Sequence, residues 1–290
     1  MSRDLAVEDR IRALPCWRGP ISFEPLPGGL TNQNRLVRCL GEGFVVRLGA
    51  DSAAHSIDRG IEARISAAAA RIGLAPELIH AGGGFLVLRH IEGRTLAAED
   101  LASAHNLGRA IHLLRRCRDD MPAACNFPLP DRAPIRILAR YLEVLAAPAQ
   151  RWHDSPMRLA PRVAALTRRL ESRSLGFAHN DIHAGNLIDD GVRLWLIDWE
   201  YAGAGDPLVD LASLINNGGV AQADISDAAA LWCGAAADSI DSASLADLRL
   251  AAALRDLFWG YVQDGLSGGL DEYIAINDAR VDKCAGLAGL

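Results

Sequence analysis

Apolar residues fall along the chain in short blocks separated by glycine, proline and charge, and the spacing inside each block predicts its element. Over residues 4–14, Leu5, Ile11 and Leu14 keep helical spacing until Pro15 stops them. Residues 43–48 (Gly-Phe-Val-Val-Arg-Leu) are an apolar run of strand length carrying one cation, Arg47. Ile57, Ile61, Ile65, Ala68, Ala69 and Ile72 form a helical stripe over 57–72, closed by Gly73 and Pro76. Residues 78–80 and 85–88 read as two strands joined through Ala81-Gly82-Gly83-Gly84. A long helix is expected over 97–118 on Leu101, Leu107, Ile111 and Leu114. An irregular, proline-containing loop follows over 119–132, then helices over 134–146 and 158–173. Arg158, Arg162, Arg168, Arg169 and Arg173 in the last of these make a solvated face.

The pattern changes character over residues 177–200, FAHNDIHAGNLIDDGVRLWLIDWE. A loop dense in polar groups, residues 179–186, is followed by Leu187-Ile188, a turn at Asp189-Asp190-Gly191 and the apolar run 192–197. Asp-Gly between apolar runs predicts a hairpin. Folding that hairpin returns Asp198, at the end of its second strand, to the side of the polar loop. Such a grouping suits phosphoryl transfer, which needs a carboxylate to take a hydroxyl proton and oxygen ligands for Mg²⁺ on the nucleotide phosphates. Asp181 is the candidate base, with Asn186 and Asp198 as candidate metal ligands. The spacing D-x-x-x-x-N, with a further acid after a hairpin, is the arrangement kinases use. His179, Asp181 and His183 also spell H-x-D-x-H, which suits a hydrolase metal cluster, and a polar loop without chemistry has to be weighed as well. No further His or Cys lies at useful spacing, and Asn186 and Asp198 favour the phosphoryl-transfer reading.

At these residues the chain resembles the choline/ethanolamine kinases, within the wider aminoglycoside phosphotransferase-like group of small-molecule kinases. HNDIHAGN (179–186) and LIDWEY (196–201) carry the resemblance, and Asn180 after His179 is similar to choline kinases rather than to antibiotic kinases. The resemblance implies an α+β, bilobal protein-kinase-like fold. Residues 1–91 would be a nucleotide-binding lobe with an antiparallel sheet, and 92–290 a mostly helical catalytic and acceptor-binding lobe. It also implies ATP and Mg²⁺ as cofactors. The loop Gly28-Gly29-Leu30-Thr31-Asn32 resembles the family's nucleotide loop, whose backbone N–H groups approach phosphate. Arg47 stands where protein kinases place a phosphate-contacting Lys, and Glu62 on the following helix matches its ion-pair partner. Arg89 to Gly93 crosses between the lobes, so that main-chain groups around Arg89 and Ile91 would bind adenine. His183 stands where protein kinases keep a Lys, in reach of the γ-phosphate. Asp210, twelve residues past Asp198, would cap the following helix or brace the catalytic loop.

A quaternary ammonium acceptor binds through aromatic faces and a carboxylate. Trp232, Trp259, Tyr261 and Tyr273, with Asp256 and Glu200, are the candidates. Residues 257–263 resemble the family's late helix with a Trp-x-x-Trp pair. Trp259 matches its second Trp, and Asp256 replaces the first. Asn217 stands where the family pattern has a Glu. The expected acceptor is therefore choline or ethanolamine, with thiamine, a small sugar or an aminoglycoside as alternatives within the fold. A nucleotide-binding pseudokinase is the alternative of another class. The compact aromatic end argues against a polycationic aminoglycoside, and Trp259 reads equally well as core packing.

Composition adds limits. Half of the 290 residues are apolar, enough for a sizeable core, and the net charge of −6 points away from nucleic acid. Six scattered cysteines without a C-x-x-C pair read as reduced thiols of a cytoplasmic protein. The charged N-terminal stretch lacks an apolar signal core, and no apolar run approaches the ~18 residues of a membrane span. Neither a membrane nor a nucleic-acid partner is expected, and the oligomeric state is left open.

Overall fold

The computed structural model describes residues 3–24, 26, 33–147, 151–234 and 240–290. Gly28, Gly29, Thr31 and Asn32 of the expected nucleotide loop lie outside the described residues. Helix α1 (Arg3–Arg12) is followed by β1 (Ile21–Glu24), β2 (Gln33–Cys39) and β3 (Glu42–Leu48), which pair antiparallel in sequence order. Helix α2 (Arg59–Arg71), β4 (Leu78–Gly82) and β5 (Phe85–Arg89) follow, and β5 slots between β3 and β4 to complete a five-stranded sheet. Val46 and Arg47 are adjacent on β3 yet both buried, because both faces of the sheet are covered. On one face Val37, Phe44, Val46, Phe85 and Val87 pack with Val7 and Ile11 of α1. On the other, Leu86 and Leu88 meet Ala63 of α2.

The α2 stripe begins two residues later than its spacing predicts. Ile57 is held in a bridge to Ser52, and Asp58 caps the helix by accepting from Ile61 N at 2.9 Å. Ile65, Ala68 and Ala69 of α2 join the large helical core rather than that of the sheet, so α2 is shared between the lobes.

After Arg89 the chain leaves the sheet. Strand β6 (Arg94–Thr95) pairs with β8 (Leu187–Asp189), which pairs with β9 (Leu194–Leu196). The helix expected over 97–118 is two pieces, a 3-10 turn at Ala98–Ala102 and α3 (Ala104–Ala124). Asp100 breaks the run by accepting from Ala97 N at 2.7 Å. Buried Cys117 and Met121 carry α3 on through Pro122 into the expected loop. Helix α4 (Pro134–Leu145) lies where expected. Helix α5 (Asp154–Leu170) starts early because Pro156 sits in its first turn, where a missing N–H costs nothing. Strand β7 (Gly176–Ala178) pairs with β10 (Gly203–Gly205), and α6 (Leu208–Asn217), α7 (Ile225–Cys233), α8 (Ser242–Ser267) and α9 (Asp271–Ala288) complete the lobe. Helix α8 is its axle: Leu250, Ala251, Leu254, Leu257 and Phe258 are buried in the main core. Among the described residues no helix is long and apolar enough to cross a membrane.

The β8–β9 turn is built by Asp190, whose Oδ1 accepts from Val192 N and Arg193 N at 2.8 and 2.7 Å, and by Gly191 at φ +88°. Arg109 of α3 pins the hairpin by donating to both oxygens of Asp189 at 2.6 and 2.8 Å. That guanidinium holds the Asp189 carboxyl down at about 2. The fold thus presents the polar loop at the floor of an interlobe cleft of about 790 Å³.

Candidate active site

The hairpin brings Asp198 back to the loop: Ile197 N donates to Asn186 O at 3.0 Å. Asn186 Nδ2 donates to the Asp181 carbonyl at 2.8 Å and to its carboxylate Oδ2 at 3.0 Å. The amide nitrogen thereby fixes Asp181, and Asn186 Oδ1 is left as an oxygen donor toward the cleft. Burial raises the Asp181 pKa, opposed by the nearby His183 and Arg255. His183 Nε2 lies 3.8 Å from Asp181 Oδ2, half exposed in the cleft wall.

The loop is clamped from below. Buried Asp210 of α6 accepts from His179 N and Asn180 N, both at 2.8 Å, so it braces the loop rather than capping its own helix. Asn217 Nδ2 donates to Ile182 O at 3.0 Å, and Arg255 Nη1 donates to Asn180 O. Asn180 has φ +63° and Asp198 φ +68°, a left-handed backbone that Asn and Asp tolerate better than other residues with a side chain. Burial pushes the Asp210 pKa up to about 7, against its two N–H donors. Folded Asp210 keeps its proton from the ordinary 3.8 up to about 7, where the unfolded chain has lost it, so stability falls as pH rises through that window. The melting midpoint is expected to drop between about pH 4 and about pH 7, and Asp210→Asn to flatten the drop. An identical slope in the variant would dissociate Asp210 from it.

His179 does not join a metal cluster. It is fully buried, Nε2 faces Ile197 O at 3.1 Å, and burial lowers its pKa to about 4, so the neutral ring donates there. The acids that do gather are Glu62, Asp198 and Glu200, each with one oxygen within 4.8 Å of the others. Arg47 lies among them, with Nη1 3.0 Å from Glu62, and Nη2 3.0 Å from Asp198 and 3.3 Å from Glu200. Arg59 adds a second bridge, 2.6 Å from both Glu62 and Glu200. Burial, then the Asp198 charge, push Glu200 up to about 7, against both arginines. Glu200, expected among the acceptor contacts, is therefore grouped with Glu62 and Asp198. The donor set is all oxygen, three carboxylates close together, and suits Mg²⁺, although the Glu62 and Asp198 oxygens nearest Arg47 already meet its guanidinium at 3.0 Å.

Arg89, His90 and Ile91 line one end of the cleft. The Arg89 guanidinium turns outward to Glu42 and Glu77 at 2.7 and 3.1 Å, and its main-chain N–H is spent on Glu77 O at 2.8 Å, as that of His90 is on Gly43 O at 2.9 Å, so neither the side chain nor the N–H of Arg89 is free for the expected adenine contact. Val45, Leu88, Ile188 and Ile197 line the same cleft and offer apolar cover from both lobes.

At the opposite end, Trp259 Nε1 donates to the Tyr201 hydroxyl at 2.9 Å, and its ring lies 5.3 Å from Tyr273 and 5.6 Å from His55. His55 comes from the side of the five-stranded sheet, in the β3–α2 loop. It spans Tyr141 Oη at 3.2 Å and Gln263 Oε1 at 3.0 Å, and burial lowers its pKa. A neutral ring donating from Nε2 to Gln263 accepts the Tyr141 hydroxyl at Nδ1. Asp256 lines this end too, held by Arg255 at 2.7 Å with Arg280 at 3.8 Å. Trp232 and Tyr261 are not part of it. Trp232 is buried under Arg118, and Tyr261 packs on Trp152 and Phe258. Tyr141, Tyr201 and His55 take their place. Their one sequence signal was being aromatic, and nothing local tied them to Trp259.

The family model described as "Phosphotransferase enzyme family" matches residues 22–248. The chain is 30% identical to the protein LicA of Haemophilus influenzae over 197 residues, 65% of this chain and 56% of that protein. It therefore spans little more than half the length of that relative. A choline/ethanolamine kinase family protein from Mesorhizobium loti superposes with a TM-score of 0.74 at 25% identity, over 99% of this chain and 95% of the other. Choline kinase LicA from Streptococcus pneumoniae superposes with a TM-score of 0.81 at 20% identity, over 99% of both chains, a likeness of fold.

Proposed function

The chain belongs to the phosphotransferase enzyme family, and from that premise we propose that it moves the γ-phosphoryl group of ATP, with Mg²⁺ bound, onto the hydroxyl of a small choline-type amino-alcohol. The observation that carries this reading is the contact set of one loop. Asp181 is held by Asn186, beside Asp198, with aromatic faces at the other end of the same cleft. Asn186 Oδ1, Asp198 and Glu200 would hold Mg²⁺, which when bound neutralises charge on the nucleotide phosphates. Asp181 accepts the hydroxyl proton as the alcohol oxygen bonds to the γ-phosphorus. The bond from that phosphorus to the bridging oxygen of the β-phosphate breaks, leaving a phosphate monoester and ADP. Arg47, fixed by Glu62, reaches the phosphates, and His183 stands beside the transferring group. Trp259, Tyr273, Tyr141 and Tyr201 give the ammonium head its π faces.

ADP release and ³¹P NMR of the product, with Mg²⁺–ATP and each of choline, ethanolamine, thiamine, simple sugars and two aminoglycosides, test the reading. A phosphomonoester of an amino-alcohol is expected. Nucleotide binding without transfer to any acceptor would favour the pseudokinase instead. The arginines at the acceptor end, Arg132, Arg140, Arg255 and Arg280, oppose a polycationic aminoglycoside. Trp259→Ala should raise KM for choline about five- to thirty-fold, the worth of ~1–2 kcal/mol of cation–π contact, with a smaller change in kcat. An unchanged KM would return Trp259 to core packing.

A further inference from the structure

The wall of the acceptor end holds a charge that a choline-type cation leaves unanswered. Arg132, in the strap between α3 and α4, is 7% exposed and lines the cleft. Its place is fixed by the backbone: Arg132 N donates to Ala204 O at 2.7 Å. Its stem packs on Gly203, where a Cβ would meet Arg132 Cγ at 2.6 Å. At the guanidinium, Nη2 donates to Ser56 O, next to His55, while Nε is buried without a partner. Among the described residues Arg132 has no ion pair. Asp58 and Asp131 act on it only through space, and each is committed elsewhere, Asp58 to Ile61 N and Asp131 to Ala133 N. The Tyr141 and Tyr201 hydroxyls nearby, kept neutral by burial, offer it no charge, and burial lowers the Arg132 pKa.

The remaining charges at this end do not supply the missing anion. Asp256 is already shared by Arg255 and Arg280, and Arg140 pairs with Glu143 at the rim. A guanidinium buried without a counter-ion is costly, and a bare ammonium seated beside it adds a like charge. Both costs are removed when the acceptor brings its own anion. The planar fork of Arg suits a carboxylate, and Nη1, which has no hydrogen bond among the described residues and is not sealed off as Nε is, is the corner left to meet one.

We propose that Arg132 forms an anion subsite and that the preferred acceptor is a zwitterion, carrying a hydroxyl for transfer, an ammonium for the aromatic faces and a carboxylate for the Arg132 guanidinium. The inference rests on the phosphotransferase reading above and narrows its acceptor. Two matched pairs test it, with Mg²⁺–ATP fixed: choline against N,N,N-trimethylserine, and ethanolamine against serine. The wild type is expected to favour the carboxylated member of each pair in kcat/KM by tenfold or more. Arg132→Met should cut that preference at least tenfold, and Arg132→Lys should keep part of it. Transfer to choline or ethanolamine without preference for the carboxylated partners would overturn the subsite and leave the proposed function standing. So would an Arg132→Met variant that lowers both members of a pair by one factor, the behaviour of a strut that only holds Ser56. No transfer to any of the four would sink the subsite and the acceptor reading together. If Arg132→Met does not fold, as judged by its melting curve, the wild-type preference alone decides.

Discussion

Asp181→Asn is expected to lower kcat about a thousand-fold, within the span general-base catalysis contributes, while ATP affinity stays near wild type. The substitution keeps shape and removes only the ability to take the hydroxyl proton. The Asn186 bond to the main-chain carbonyl at 2.8 Å and the Asp210 bonds beneath the loop do not involve the lost carboxylate oxygen, so the loop should hold. Arg47, Glu62 and Asp198, proposed above for the phosphate and metal side, are likewise untouched. Nucleotide titration by calorimetry and single-turnover transfer, run on one preparation, separate the two quantities. Activity above a tenth of wild type would remove Asp181 from the role of base.

Arg47→Met should have the largest effect on stability. Arg47 is buried, and its guanidinium faces Glu62, Asp198 and Glu200 at 3.0–3.3 Å. Removing it leaves three crowded carboxylates with Arg59 as the remaining neighbour of two of them. Breaking a buried pair from one side costs about 3–5 kcal/mol, on the order of 10 °C in melting midpoint for a chain of this size. The same three acids are a ready cation site, so millimolar Mg²⁺ should recover more stability in the variant than it adds to the wild type. Equal Mg²⁺ responses would mean that the acids do not meet around a shared cation. Transfer should also fall, because the phosphates lose their fork.

What the sequence disclosed follows from distance along the chain. The β8–β9 hairpin and the Asp181–Asn186 contact are local, written by an Asp-Gly turn and a five-residue spacing. The Arg47–Glu62 pair is within fifteen residues and was legible through the resemblance. Arg59, 141 residues from Glu200, was not, because an Arg near the start of a helix looks solvated until tertiary packing buries it. Arg255 reaches Asn180 across 75 residues, and His55 reaches Gln263 across 208. These contacts exist only once α8 is seated under both lobes, and no periodicity encodes them. The expected aromatic set erred in the same way: Trp232 and Tyr261 have the right chemistry on faces that the packing turns inward.

Neighbouring positions on α8 serve different masters. Arg255 holds the carbonyl of Asn180 and so steadies Asp181, the base proposed above, while Asp256 and Trp259 on the same stretch of helix line the end of the cleft proposed for the acceptor. Divergence toward a new substrate therefore has little freedom to shift, rotate or shorten this helix. Any such change would carry Arg255 with it and disturb the catalytic loop. New specificities are instead expected to arise by exchanging side chains on a stationary helix, and by altering the β3–α2 loop and the strap bearing Arg132. On the proposed function, acceptors can change in this way while the Asp181 loop stays where it is.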